Sequence, residues 1–97
     1  MAIKQQLKQE EPSSYQLVIL NADKLVDQAM QDRGIKGSNM GERLKNATTV
    51  LTDVQKVWTA HKMRNHIAHE TDVQITYDDV RFALYNFEKA LKDLGAI

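Results

Sequence analysis

The 97-residue sequence contains no cysteine, a single proline and no long run of apolar residues. The lack of cysteine excludes disulfides, thiol nucleophiles and metal sites built on thiolates. No apolar run has the length of a membrane span, and residues 1–11 lack the apolar stretch of a secretion signal. We therefore expect a cytoplasmic protein that makes no membrane contact through this chain.

Net charge is also absent, because 13 basic and 13 acidic residues balance to zero. A general electrostatic attraction to nucleic acid is thus excluded, and any polyanion must be bound by a local cluster. Hydrophobic residues make up 42% of the chain, which at this length predicts one hydrophobic core. We place a single domain at residues 13–97, after a polar segment or short helix at residues 1–12.

Apolar residues recur at helical spacing in four segments, which predicts an all-α protein. Asn39 with Glu42, and Thr76 with Asp79, have the spacing of capping boxes at helix starts. With short connections, four such helices indicate an antiparallel four-helix bundle. The predicted helices run from Pro12 to Gly34, from Asn39 towards Leu51, over residues 53–70, and from Thr76 to Gly95.

The third predicted helix carries an unusual concentration of basic and titratable residues. All three histidines, His61, His66 and His69, lie on it together with Lys62 and Arg64. On a regular helix His61 and His69 share a face, whereas Arg64 and His69 are about 140° apart. The histidines lack the i, i+4 spacing of helical zinc sites, so we expect neither a metal nor another cofactor.

Residues 64–69, with the sequence Arg-Asn-His-Ile-Ala-His, resemble the signature of the HEPN superfamily. That signature is an Arg, a polar residue and a downstream His on the third helix of a four-helix bundle. Residues 22–25, 40–44 and 58–61 are similar to a group of bacterial proteins in which such a domain follows a membrane-anchored region. The resemblance covers nearly the whole chain after Pro12. It implies a metal-independent ribonuclease that works as a homodimer, with both motifs at the shared interface.

The resemblance assigns chemical roles to the motif residues. RNA cleavage by a 2′-OH needs a base that titrates near neutral pH and a cation for the phosphoryl oxygens. His69 would act as general base or acid, Arg64 would bind phosphate, and Asn65 would orient either of them. The residues expected to add binding contacts around this site are His61, Lys62 and His66.

Structural roles for the same residues remain open. Arg64 would then pair with Asp23 or Asp27 on the first helix, and His69 would bond a backbone carbonyl at its helix end. The domain would be a non-catalytic module that binds nucleotide, RNA or another protein. A third reading is a scaffold segment of a longer, membrane-anchored protein. Trp58 is expected in the core, because it shares a helix face with Val54 and Val57.

Two aromatic residues of the last helix, Phe82 and Tyr85, fall outside its main apolar stripe. If both are exposed, they predict the interface of a homodimer. A bundle edge that buries them is equally consistent with the pattern.

Overall fold

The computed structural model describes residues 12–70 and 73–97, with side chains from residue 15 onward. Every regular element within these residues is an α-helix, which confirms the predicted all-helical class. The four helices are α1 (Pro12–Asp32), α2 (Met40–Lys45), α3 (Val54–His69) and α4 (Tyr77–Asp93). The short helix predicted within residues 1–12 lies outside the described residues, apart from Pro12 at the start of α1.

The helix starts follow the polar signals in the sequence. The side chain of Thr76 accepts from the backbone N–H of Asp79, and the Asp79 carboxylate accepts from Thr76, so the predicted capping box is complete. At α2, Asn39 accepts from the backbone N–H of Glu42 at 2.9 Å. The Glu42 carboxylate, however, accepts from Ser38 rather than from the backbone of Asn39.

Two glycines end the longest helices, as predicted. Gly34 follows α1 with φ of 82°, and Gly95 follows α4 with φ of 75°. Both angles are in the left-handed region, which glycine adopts without a Cβ clash. The next residue then donates back into the helix, Ile35 to Met30 and Ala96 to Leu91. These bonds satisfy carbonyl groups that the helix end leaves free.

The second helix is shorter than its apolar stripe. It ends at Lys45, and residues 46–50 continue as turns. Thr48, Thr49 and Val50 are β-branched and lose side-chain freedom in a helix, which accounts for the early end. Ala47 and Leu51 remain buried nevertheless, because the turns keep them directed at the core.

Contacts at the helix ends fix the directions of the three long helices. The rings of Tyr15 and Tyr77 lie 6.1 Å apart at the starts of α1 and α4. Arg33, just after α1, donates to the backbone oxygen of Asp93 at the end of α4. Thr52, just before α3, donates to the carboxylate of that same Asp93. It follows that α1 and α4 run the same way, with α3 opposite to both.

The core forms where the long helices meet. Its largest fully buried side chains include Ile19, Met30, Leu44 and Phe87, each of which contributes about 1.5–3 kcal/mol by leaving water. The contribution of α3 differs, because its buried residues are only Val57, Ala60 and His61. Apolar residues of α3 such as Met63 and Ile67 pack against the core only in part. The buried polar residue of this helix, His61, belongs to the candidate site.

Candidate functional site

A buried carboxylate on α1 holds two side chains of α3. Asp23 is 4% exposed, and its Oδ1 atom lies 2.8 Å from Nδ1 of His61, which is 8% exposed. Its Oδ2 atom lies 3.5 Å from Nε of Arg64. A carboxylate can be buried at acceptable cost only when it is paired and hydrogen-bonded. Asp23 meets that condition by engaging both of its oxygens.

This arrangement determines how His61 is presented. An ionised carboxylate only accepts hydrogen bonds. In the contact with Asp23, the Nδ1–H group of His61 is therefore the donor. In the neutral ring, Nε2 is then the acceptor. The rings of His61 and Trp58 meet edge-on at 6.0 Å, and this contact further restricts the orientation of the imidazole.

Arg64 is held but remains accessible. Its Nη1 atom donates to the side-chain oxygen of Asn65 at 3.1 Å, while Nε faces Asp23. The side chain is 36% exposed. Within the described residues, the Nη2 atom has no hydrogen-bond acceptor. The guanidinium is thus oriented by a buried anion on one side and keeps donors for a second anion on the other.

A second ion pair, beside the first, joins α2 to α1. Nη1 of Arg43 lies 2.7 Å from Oδ1 of Asp27. The sequence had suggested Asp23 or Asp27 as the structural partner of Arg64. In the structure, Arg64 pairs with Asp23. Asp27 pairs instead with Arg43, and the sequence analysis missed this second ion pair. No local pattern could have indicated it, because the two residues are 16 positions apart on different helices.

These groups line an open cleft of about 970 Å³ between α1, residues 38–43 and α3. Its charged side chains are three cations, Lys24, Arg43 and Arg64, against two carboxylates, Asp23 and Asp27. Both carboxylates already have cationic or imidazole partners, so the unpaired charge in the cleft is positive. Amide and aromatic groups also line the cleft: Asn21, Gln31, Asn39, Trp58 and Asn65. Trp58 is therefore half-buried beside the core and also borders the cleft.

Next to residues that line the cleft, Glu42 is held by hydrogen bonds from Ser38 that shift its pKa. The hydroxyl and backbone N–H of Ser38 both donate to the carboxylate of Glu42. These bonds favour the charged form, so the pKa of Glu42 lies below its ordinary value. The contact fixes the segment before α2, which supplies Ser38 and Asn39 to the cleft lining.

Asn65 also borders a second, smaller cleft of about 290 Å³. Lys62, His66 and Glu70 line it as well. Nδ1 of His66 lies 3.2 Å from the carboxylate of Glu70, one helical turn later, and both side chains are exposed. The predicted binding residues are therefore divided, with His61 in the large cleft and Lys62 and His66 in the small one.

The three predicted catalytic residues are not brought together in one chain. Arg64 and Asn65 line the large cleft, whereas His69 is exposed at the end of α3 and lines neither cleft. The reason is helix geometry, since α3 is continuous to His69 and five residues correspond to a rotation of about 140°.

The aromatic pair of α4 is divided between two environments. Phe82 is half-buried and packs against the core. Tyr85 is 66% exposed, the largest value among the exposed large hydrophobic residues described. Of these two residues, only Tyr85 is exposed enough in the isolated chain to contribute to an interface.

No cluster of three or more His, Asp or Glu side chains within the described ranges is arranged to hold a metal ion. None of the helices described has the length and apolarity needed to cross a membrane. Comparisons with models of known protein families, with curated proteins and with solved structures found no match to this chain.

Proposed function

We propose that this domain is a binding module for a phosphate-bearing ligand, a nucleotide or a segment of RNA, which enters the cleft between α1, α2 and α3. The proposal rests on the orientation and the exposure of the Arg64 side chain. A guanidinium oriented by the buried Asp23 and by Asn65, and 36% exposed to the cleft, is preorganised to bind an anion with its remaining donors.

The rest of the cleft suits the other parts of a nucleotide. Lys24 adds an exposed cation, and the net charge of the lining favours an anionic ligand. The side chains of Asn21 and Asn65 offer donors and acceptors for base and sugar edges, and Trp58 offers an aromatic surface for stacking. A cysteine-free chain also fits a reducing compartment such as the cytoplasm, where these ligands occur.

The experiment uses Trp58 as its reporter, because it is the only tryptophan in the chain. Its fluorescence is titrated with a mononucleotide, with a short RNA and with inorganic phosphate. We expect a saturable change that Arg64→Ala weakens about tenfold or more, as loss of a charge-assisted hydrogen bond would. Arg81→Ala removes the same charge from α4 and serves as the matched control.

Lys24→Ala provides a second variant that does not touch the buried ion pairs. Because Lys24 is exposed at the cleft, this change should weaken binding by a few-fold and leave folding intact. A titration with no saturable change for any of the three ligands would reject the proposal. So would binding that survives Arg64→Ala in a protein shown to be folded by circular dichroism.

The second candidate function is the metal-independent ribonuclease. What favours it is the shared position of Arg64 and Asn65 in the cleft, as the HEPN resemblance requires of those two residues. Because His69 faces away from Arg64 in one chain, a cleavage site would need His69 from a second copy. We therefore propose this activity only for a composite site.

Complementation tests the composite site directly. Labelled RNA is incubated in EDTA with Arg64→Ala, with His69→Ala and with an equal mixture of the two. Randomly assembled mixed dimers would contain one intact site, so the mixture should recover about a quarter of wild-type activity. If the wild-type protein is inactive, or if the mixture is as inactive as either variant, the ribonuclease proposal is rejected. The binding module then remains as the proposed function.

A further inference from the structure

The imidazole of His61 has one free nitrogen, and that nitrogen is open to the large cleft. Nδ1 donates to the buried Asp23, which leaves Nε2 for a ligand. Within the described residues Nε2 has no hydrogen-bond partner, whereas every buried side-chain nitrogen and oxygen among them has one. Nε2 is therefore accessible, and the opening that His61 borders is the cleft.

We propose that the cleft selects a phosphate monoester, the terminal phosphate of a mononucleotide, by means of an imidazolium at His61 beside Arg64. This inference rests on the phosphate binding proposed above and narrows the ligand to one class of phosphate. His61 and Arg64 are three residues apart on α3, so they are neighbours on the helix surface. The same carboxylate, that of Asp23, holds both of them. A phosphate group bound by the free donors of Arg64 is therefore close to His61.

Contact between that phosphate and His61 requires a second proton on the ring. In neutral imidazole, Nε2 presents a lone pair, and a phosphate oxygen presents lone pairs as well, so the two atoms repel each other. A proton on Nε2 converts this acceptor into a charged donor, and imidazole is the side chain that gains such a proton near neutral pH. Asp23 accepts from Nδ1–H in both states, so the ring keeps its orientation. The ligand therefore binds together with one proton taken from solvent.

The charges of the cleft match a ligand with two negative charges. The charged side chains that line it with His61 come from α1, α2 and α3: Asp23, Lys24, Asp27, Arg43 and Arg64. No residue of α4 is part of the described lining. Three cations against two carboxylates leave one positive charge, and an imidazolium at His61 raises it to two. A phosphate monoester carries about 1.5–2 negative charges at neutral pH, whereas a phosphodiester, the linkage within RNA, carries one.

Calorimetric titration of the full chain with adenosine monophosphate tests the uptake of a proton. Above about pH 7 this ligand is mainly dianionic, and carboxylates, ammonium groups and guanidinium groups keep their charges. We expect the dissociation constant to rise about tenfold or more from pH 7 to pH 9, because the complex holds one proton more than its free components. Titrations at pH 8 in two buffers with different heats of ionisation should give close to one proton taken up per ligand.

His61→Asn separates ligand binding from the contact with Asp23. The amide nitrogen of Asn can donate to Asp23 as Nδ1 does, but no atom replaces Nε2. This variant should bind adenosine monophosphate about tenfold more weakly at pH 7 and lose the dependence on pH. Gln55→Asn, an exposed change on the same helix, is the control and should alter neither property. Circular dichroism establishes that both variants are folded, and the proton count on the wild type needs no variant.

The methyl ester of adenosine monophosphate tests the class of ligand. It keeps the base and the sugar but replaces the monoester by a diester with one charge. At pH 7 the wild type should bind the monoester about tenfold or more tightly than the diester, and His61→Asn should reduce this preference to about threefold.

The outcomes distinguish this inference from the proposed function on which it rests. Equal binding of the two esters, binding without proton uptake, or proton uptake that survives His61→Asn would overturn the inference. The binding module would still stand in each of these cases, provided that Arg64→Ala weakens binding. Failure of the folded wild type to bind either ester or inorganic phosphate would reject both.

Discussion

Asp23 and His61 are 38 residues apart in the chain, yet the Nδ1 atom of His61 lies 2.8 Å from a carboxylate oxygen of Asp23 in the protein interior. The other carboxylate oxygen faces Arg64, nearly one turn further along α3. A single buried group on α1 therefore fixes two side chains of α3, and one of them is the cation that we propose binds phosphate. Asp23 therefore connects the stability of the domain to the phosphate binding that we propose.

Replacing Asp23 should destabilise the domain more than a typical surface change. Asp23→Ala would leave the imidazole of His61 buried without its partner and Arg64 without its anchor, at a cost of about 2–4 kcal/mol in the free energy of unfolding. Asp23→Asn keeps an acceptor for His61 and should cost less. Urea unfolding followed by circular dichroism measures both, with the exposed Asp32→Ala on the same helix as control. A loss below about 1 kcal/mol for Asp23→Ala would show that the pair contributes little.

The contact between Ser38 and Glu42 should make stability depend on pH. Hydrogen bonds from Ser38 lower the pKa of Glu42 in the folded state, so the folded state binds fewer protons there than the unfolded state. Stability from this group is then present above the ordinary pKa of Glu, about 4.3, and is lost as pH falls through the lowered value.

Ser38→Ala removes the hydroxyl donor but leaves the backbone N–H, so the pKa of Glu42 should rise part of the way towards its ordinary value. An NMR titration of the Glu42 carboxyl carbon measures that change. The difference in unfolding free energy between wild type and variant should be largest near neutral pH and shrink in acid. Thr48→Ala, an exposed change in the turns after α2, should give no pH-dependent difference. An unchanged Glu42 titration in Ser38→Ala would contradict this account.

Gly37 should tolerate no side chain, because a Cβ atom there would lie 2.7 Å from the backbone nitrogen of Arg43. The added methyl group of Gly37→Ala must displace the start of α2. The added methyl group of Gly34→Ala has no atom within 4 Å, so that variant costs only the strain of the left-handed backbone, about 1–2 kcal/mol. We expect Gly37→Ala to lower the thermal unfolding midpoint further than Gly34→Ala. The opposite order would show that the loop before α2 adjusts freely.

The helices were predictable because their signals are local. The complete capping box at Thr76 and the stop at Gly34 each depend on residues within one turn of each other, so the sequence contains the whole interaction. The prediction of where α2 ends was less accurate. The apolar stripe continues to Leu51, but burial of Leu51 is achieved through turns rather than helix, and spacing alone does not distinguish the two.

The site was predictable only in part, because its contacts join different helices. Arg64 and Asn65 do border a cleft, but the pairing of Asp23 with His61 depends on how α1 is rotated against α3. That rotation is set by the packing of apolar side chains along whole helices. His69 was grouped with Arg64 by resemblance to a motif, while the regular helix of the structure separates them. Dimerisation, which would supply a second His69, is a property of two chains and stays a prediction.

The most direct test of the central claim observes Arg64 itself. The Nε–Hε NMR signals of the arginines are recorded during titration with a mononucleotide, and Arg64→Lys identifies the signal of Arg64 by its disappearance. We predict that the Arg64 signal moves saturably while that of Arg81 on α4 stays in place. An Arg64 signal that does not move, or that moves in step with Arg81 and without saturation, would contradict the proposal that this cleft binds phosphate.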